Sequence, residues 1–466
     1  MTPRQKTLAL LTLVVALVVE IVDMTIVNTA LPAIRSGIGA DATHAQWIVA
    51  GYSVSFALLL MAGGRLGDAF GYRRMFLLGV AGFTLASLAC GLARTGDELV
   101  AARLLQGATG AMMAPQQMAL MQLLFNPLER ISKLAMFGVI GGLASIVGPI
   151  IGGLLIDADV FGLGWRLVFL INLPVGALAM AAGWAFLPPS RSTHQVGYDG
   201  IGTLWFGLAV AALIWPLIAA GEGTQSISPL WLLLSVPLGW MGWRHVARRT
   251  AQGRAALFDP AILSITTFRS GLGMSIAFSA ASSGFLLIFA FALQGERGET
   301  PLMTGLLHMP FGFGAMFGIG FLSRNLLPRV GRWLPFAGAL AMAATVVAAL
   351  TAISGGWPLW MIGTTMVLAG VGMGMTTGCI GPITFAQMDR EHAGAASGLV
   401  KTCQQLGGAL GVALAGSAYF GWARLTGMVP SLLAAVIIAG LLGLCALLAA
   451  TLPGDIFGQR RNEGRA

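Results

Sequence analysis

The sequence predicts an all-α integral membrane protein of many spans, on three observations. Of its 466 residues, 56% are hydrophobic and only 10% are charged, too few charges to coat a soluble domain of that length. Apolar runs of about 20 residues recur along the chain, the length that crosses a hydrocarbon core of about 30 Å as a helix. No ten-residue pattern of alternating apolar and polar residues occurs, which argues against a β-barrel.

Apolar runs between polar or Pro/Gly breaks give fourteen spans: 8–30, 46–63, 75–93, 98–123, 132–156, 166–187, 200–220, 229–246, 270–293, 302–322, 333–353, 358–385, 394–420 and 429–451. The first lacks a small-residue cleavage site followed by a polar mature chain, so it reads as a retained span and not a signal peptide. It carries two acids, Glu20 and Asp23, inside otherwise hydrocarbon-soluble sequence. Spans two and three are joined by GGRLGDAFGYRR, Gly63 to Arg74. Its glycines allow a tight turn, and Asp68 with three arginines makes a compact charged knot. The fourth span opens near Glu98 and holds Arg103. The fifth contains GPIIGG, Gly148 to Gly153, whose small residues let another helix approach closely. Pro149 removes a backbone donor there and bends the span. Spans seven and eight precede the longest polar stretch, Arg244 to Arg269. His308 falls in span ten and Lys401 in span thirteen. No soluble domain fits between spans, and no GxxxxGK[ST] loop occurs, so ATP is not the expected energy source.

Placing the N-terminus in the cytoplasm puts 20 of the 27 basic residues in cytoplasmic segments, among them Arg65, Arg73, Arg74, Arg130, Arg191, Arg390, Arg460, Arg461 and Arg465. Five lie outside (Arg35, Arg94, Arg166, Arg297 and Arg424), and Arg103 and Lys401 lie within spans. Lys and Arg set orientation, so both termini are expected in the cytoplasm and the net charge of +9 reflects membrane orientation, not nucleic-acid binding. One miscounted helix would spoil the alternation. Cys90, Cys379, Cys403 and Cys445 all sit in apolar runs without CxxC spacing and read as packing residues. The histidines, His44, His194, His245, His308 and His392, are scattered with no HxxxH pair. No metal site, cofactor or enzyme centre is expected.

A helix rises about 1.5 Å per residue, which places Asp23 roughly 10 Å and Arg103 roughly 8 Å below the outer boundary. The two opposite charges share a depth. Glu20 lies near the midplane and about 60° from Asp23 around the helix, on one face. A charge facing lipid is expensive, so that face should look into the bundle or a wet cavity. Burial and a nearby guanidinium pull a carboxyl's protonation in opposite directions. A carboxyl under both influences changes protonation when water access or its distance to Arg103 changes, as a proton-coupled carrier requires. A structural ion pair that never titrates is the other reading. Glu20 fits a cation site, a second proton carrier or a protonated hydrogen-bonding group. Asn28 fits a structural hydrogen bond or a part in coupling. Lys401 either snorkels to the interface or offers a cavity charge to an anionic substrate, and His308 is either hydrogen-bonded or titrating. Met112 is among the methionines and aromatics from which an adaptable substrate cavity would be lined.

Several motifs carry a family resemblance. Gly64-x-Leu66-x-Asp68-x-x-Gly71-x-Arg73-Arg74 resembles the loop signature of the major facilitator superfamily. LVAARLLQGATGA, with Arg103, Gln106 and Gly107, resembles its fourth-helix motif. GVIGGLASIVGPIIGG, with Gly148, Pro149, Gly152 and Gly153, resembles the fifth-helix motif of its exporters. VDMTIVNTALP and GWRLVFLINLPVG are similar to the fourteen-helix drug/proton antiporters of the EmrB/QacA type. The resemblance implies an N-terminal six-helix bundle (1–190), an inserted helix pair (191–255) and a C-terminal six-helix bundle (256–466). It implies antiport of protons against amphipathic, cationic compounds in the bacterial cytoplasmic (inner) membrane, with Asp23 and Arg103 in coupling; Glu20, which joins them on its depth and face, and Lys401 stand where that group has uncharged residues. Glu20, Asn28, Gln106, Met112, Lys401 and His308 would line the substrate cavity. Asp68, with Arg73, Glu129 and Arg130, would latch onto the start of span thirteen, and helices five and ten would seal the cytoplasmic side. The second-half loop, SRNLLPRVGR, lacks the aspartate. Export of one metabolite, lipid or anionic compound, or import, remains open. So does use of a periplasmic adaptor.

Overall fold

A computed structural model describes residues 1–190, 199–220, 230–254, 256–388 and 393–453. Arg191, His194, Arg390, His392, Arg460, Arg461 and Arg465 lie outside the described residues, as does the side chain of Arg424.

The chain is helical throughout the described residues. α1 (Pro3–Ile38) starts with a capping box between Thr2 and Gln5 and ends at Gly39, which takes the left-handed conformation that glycine adopts without penalty. α2 (Ala42–Phe70), α3 (Tyr72–Leu92), α4 (Gly96–Leu124) and α5 (Pro127–Ala158) follow. A broken sixth span comprises two 3₁₀ turns, a one-turn α6 (Leu167–Leu170) and α7 (Asn172–Phe186). Then come α8 (Gly200–Ala220), α9 (Leu230–Ala251), α10 (Thr266–Phe291), α11 (Pro301–Phe317) and α12 (Arg324–Val330). α13 (Trp333–Ser354), α14 (Leu359–Thr384), α15 (Ala393–Ser417), α16 (Ala423–Thr426) and α17 (Pro430–Ala450) complete the order. π-helical turns extend α10 and join α11 to α12 and α15 to α16.

Two stretches expected as loops are helix. Gly63–Phe70 continues α2, and the break falls at Gly71 alone, where φ is 98°. Gly63 and Gly67 serve close packing instead of turning, since a Cβ on either would stand 2.2 Å or less from α4 atoms. Likewise SRNLLPRV belongs to the α11–α12 run, which stops at Gly331 with φ 57°.

Eleven helical runs among the described residues are long and apolar enough to cross a membrane. α4, α9 and α15 coincide with the expected fourth, eighth and thirteenth spans but are more polar than these, carrying Arg103, Gln106, Gln116 and Gln117, then four residues of Arg and His, then Lys401 and its neighbouring glutamines.

The chain divides into two compact units: Met1–Leu213 with Leu230–Leu257 and Thr300–Gly305, and Ile214–Pro229 with Phe258–Glu299 and Leu306–Ala466. α9 therefore belongs to the first unit. Within that unit α1 packs on α5 and α7, α4 on α2 and α3, and α3 on α7. Within the second, α10 packs on α15 and α17, α14 on α13 and the π turn after α11, and α13 on α17. The two units repeat one pairing pattern, as internal repeats in transporters do.

Candidate functional site

Asp23 on α1 is fully buried, and its carboxylate is held by three donors from two helices, α4 and α7. Arg103 Nη1 on α4 donates to Oδ2 at 2.6 Å, Gln106 Nε2 to Oδ1 at 2.7 Å, and Asn172 Nδ2 on α7 to Oδ1 at 2.8 Å. Behind these, Ser87 Oγ on α3 accepts from Gln106 at 2.8 Å and Asn172 at 3.2 Å. Arg103 is 1% exposed. Its Nη1 also meets Gln106 Oε1 at 2.6 Å and its Nε donates to the carbonyl of Ile48 at 3.0 Å. The guanidinium carbon lies 4.4 Å from the ring centre of Tyr52 and 5.8 Å from that of Phe169, within cation–π range. The pair is thus enclosed by donors and rings, as a buried ion pair must be to offset its desolvation.

Close helix approach makes this possible. A Cβ at Gly107 would stand 2.3 Å from the Tyr52 carbonyl, and one at Gly63 would stand 2.2 Å from that of Ala111, so glycines bring α4 onto α2. Glu20, one turn before Asp23, is also buried and accepts from Gln117 Nε2 at 3.3 Å. Asn28 Nδ2 donates to the Met24 carbonyl, and its buried Oδ1 has no hydrogen-bond partner in the protein. Tyr52 is 1% exposed and its hydroxyl likewise has none; such a buried group costs about 1–3 kcal/mol.

Gln106, expected at a substrate cavity, is fully buried beside Asp23, while Met112 is half-buried on α4. In the second unit His308 packs edge-on to Phe289 at 6.1 Å and against Phe311 at 5.2 Å, and Lys401 is exposed on α15. In the first unit Asp68 accepts from Tyr72 at 2.8 Å. Arg73 reaches the Trp184 carbonyl, Arg130 the carbonyls of Gln122 and Phe125, and Glu129 caps α5 with Asn126. No ion pair joins Asp68 to Arg73 or Arg130 among the described residues; backbone carbonyls at helix ends take the arginines instead. Gly64 lies within α2, where a Cβ would stand 3.8 Å from Pro115 on α4, and Arg74 lies in the first turn of α3.

Gly148 and Gly152 pack on Thr25 and Ile26 of α1. Gly153 meets the backbone of Pro301, and a Cβ at Gly305 would stand 2.5 Å from the Pro149 carbonyl. This contact of α5 with the first turn of α11 lies toward the C-terminal end of α5, where Asp157 accepts from Leu302 N at 3.2 Å. Under the orientation expected from the basic residues that end of α5 would face outside, whereas the resemblance implies a seal on the cytoplasmic side.

Sequence reasoning did not single out Asn172, Ser87 or Tyr52. The signals were slight: one asparagine in the apolar run VFLINLPVG, and one of only four tyrosines in the chain. It also missed buried Asp199, which caps α8, meets His245 at 2.9 Å and Arg249 at 3.9 Å on α9, and accepts from Leu257 N.

A family model described as Major Facilitator Superfamily matches residues 13–412. The chain belongs to the major facilitator superfamily. Its relatives are drug efflux and resistance transporters. A probable actinorhodin transporter of Streptomyces coelicolor is 35% identical over 87% of this chain and 71% of its own length. Multidrug resistance protein Stp of Mycobacterium tuberculosis is 30% identical over 91% and 78%. Among solved structures, a bacterial homolog to the human lysosomal transporter Spinster superposes with a TM-score of 0.66 over 97% of this chain and 95% of its own, at 19% identity, a likeness of fold. This major facilitator is an all-helical integral membrane protein, and its fold agrees with the repeated pairing of the two units.

Proposed function

We propose that this major facilitator is a proton-coupled exporter of amphipathic, cationic drug-like compounds. It works by alternating access in the bacterial inner membrane, with fourteen spans and both termini in the cytoplasm. The proton gradient supplies the energy and no cofactor takes part. Helices 1–6 and 9–14 of that count form the two bundles, with α8 and α9 as the inserted pair. The reading rests on one observation above the rest: a carboxylate with no exposure, 2.6 Å from a guanidinium that is itself buried. Uptake of a proton by Asp23 removes the charge that Arg103 neutralises and loosens a network joining α1, α3, α4 and α7. That is a local switch with a reach of four helices. Glu20 supplies the negative charge for a cation.

The test is flux in vesicles under an imposed pH gradient, with cationic dyes and anionic compounds as probes. Gradient-driven dye flux is expected in the wild type and lost in Asp23→Asn. Retention of that flux by the variant would defeat the coupling role. A narrower reading, export of a single antibiotic, has the actinorhodin transporter's name in its favour. It predicts flux of one chemical class only in the same screen.

A further inference from the structure

We propose that a cleft between the start of α3 and the end of α7 binds the phosphate headgroup of an anionic phospholipid through Arg73 and Arg74. The cleft lies wholly within the first unit and has a volume of about 630 Å³, inside the range of about 300–1,000 Å³ usual for small-molecule sites. Its walls follow from two chain breaks. Gly71, with φ 98°, ends α2, which leaves Phe70 before the break and Arg73 and Arg74 in the first turn of α3. α7 packs on α3 and stops at Phe186. Pro188 and Pro189 follow and do not continue a helix. Ser190 Oγ then accepts from the Arg73 backbone N at 3.3 Å, which folds the segment after α7 back onto α3. Phe70, Leu77, Trp184 and Pro189 supply the apolar surface of the cleft.

Charge selects the occupant. Among the described residues two arginines line the cleft and no acid does. Arg74 is exposed and makes no hydrogen bond or ion pair among the described residues. Arg73 is half-buried, and its guanidinium reaches the Trp184 carbonyl. An arginine carries five N–H donors, so that one contact leaves Arg73 able to share a phosphate with Arg74. Guanidinium groups take phosphate oxygens in pairs, in a geometry that a lysine does not offer. The walls separate a lipid from a free anion. Phe70 is 57% exposed and Trp184 74% exposed beside these cations. Inorganic phosphate leaves such surface bare, whereas the glycerol and upper acyl carbons of a lipid cover it. Position agrees with this. Tyr72–Leu92 and Gly164–Phe186 are both apolar enough to cross a membrane, and the cleft lies where the first begins and the second ends. Basic pockets at that border between spanning helices suit anionic headgroups. A zwitterionic headgroup would bring an ammonium that no acid in the cleft can pair.

The test is native mass spectrometry of the full-length protein released from nanodiscs holding equal amounts of phosphatidylglycerol and phosphatidylcholine. The wild type is expected to keep phosphatidylglycerol in preference. Arg74→Gln breaks no contact within the described residues, so it should fold like the wild type, checked by thermal unfolding. It should hold phosphatidylglycerol about fivefold more weakly, the share of one arginine at a membrane surface. Trp184→Ser removes an exposed wall and keeps both arginines, and it should also weaken retention. Arg244→Gln removes an exposed arginine from α9, away from the cleft, and should leave retention as it was. Equal retention of the two lipids by the wild type, or unchanged retention in Arg74→Gln, would overturn the site. So would an equal loss in Arg244→Gln, which would mean general attraction to a basic surface. Excess inorganic phosphate should not displace the lipid; displacement would make the cleft a site for a soluble anion and overturn the lipid assignment. Lipid retention is read without transport, so the outcome is independent of the coupling role of Asp23.

Discussion

Arg103 does three things with one planar group: it binds Asp23, holds Gln106 and the Ile48 carbonyl, and lies over Tyr52. Lysine keeps the charge but not the fork. Arg103→Lys is therefore expected to fold and to lose gradient-driven flux in vesicles. Arg103→Ala leaves a carboxylate buried without its cation, a change costing about 3–5 kcal/mol, and should lower the melting temperature sharply in detergent. Asn172→Ala removes one of three donors to a charged acceptor, a loss of about 1.5–3 kcal/mol. The Asp23–Arg103 encounter was legible in the sequence because helical rise converts residue number to depth. Asn172, Ser87 and Tyr52 were not. Depth says nothing about which side of a third or fourth helix turns inward, and that rotation is set by packing.

The packing that sets it is a matter of whole helices, and glycines govern it. A Cβ at Gly63 would meet the Ala111 carbonyl at 2.2 Å, backbone that has no rotamer to yield. Gly63→Ala should push α2 from α4 and cost about 1–3 kcal/mol, as overpacking does. Gly138 on α5 has nothing within 4 Å of its Cβ position. Gly138→Ala is expected to be neutral or to stabilise by about 0.5–1 kcal/mol through helix propensity. Thermal unfolding of the two variants side by side checks both signs. The same distinction explains why the GGRLGDAF stretch reads as a loop and folds as helix. Glycine serves both turns and close contacts, and composition alone does not separate them. Polar residues such as Arg65 and Asp68 mark where hydrocarbon ends, but α2 continues past it to Gly71.

Across the whole chain, the helix-pairing pattern occurs twice but the chemistry does not. The first unit fills the space between α1, α3, α4 and α7 with Asp23, Arg103, Gln106, Ser87 and Asn172. In the second unit α10 offers Phe285 and Phe289, packed with Phe311 and the ring of His308. Polar and apolar content of each half was readable from sequence. The pairing was not, because it depends on contacts between segments as far as 149 and 171 residues apart. The proposed antiporter would then take protons and the positive charge of its cargo in the first unit, at Asp23 and Glu20, and the aromatic part of the cargo in the second. The halves should then fail differently. Phe289→Leu and His308→Phe conserve much of the packed volume, and each is expected to change the ranking of exported compounds by severalfold while flux stays dependent on the pH gradient. Asp23→Asn should instead abolish gradient dependence for every compound alike. The measurement is vesicle flux of a panel of aromatic cations and neutral compounds, with and without a gradient. Loss of gradient dependence in the Phe289 or His308 variants would contradict the division of labour, because no carboxyl group has been touched.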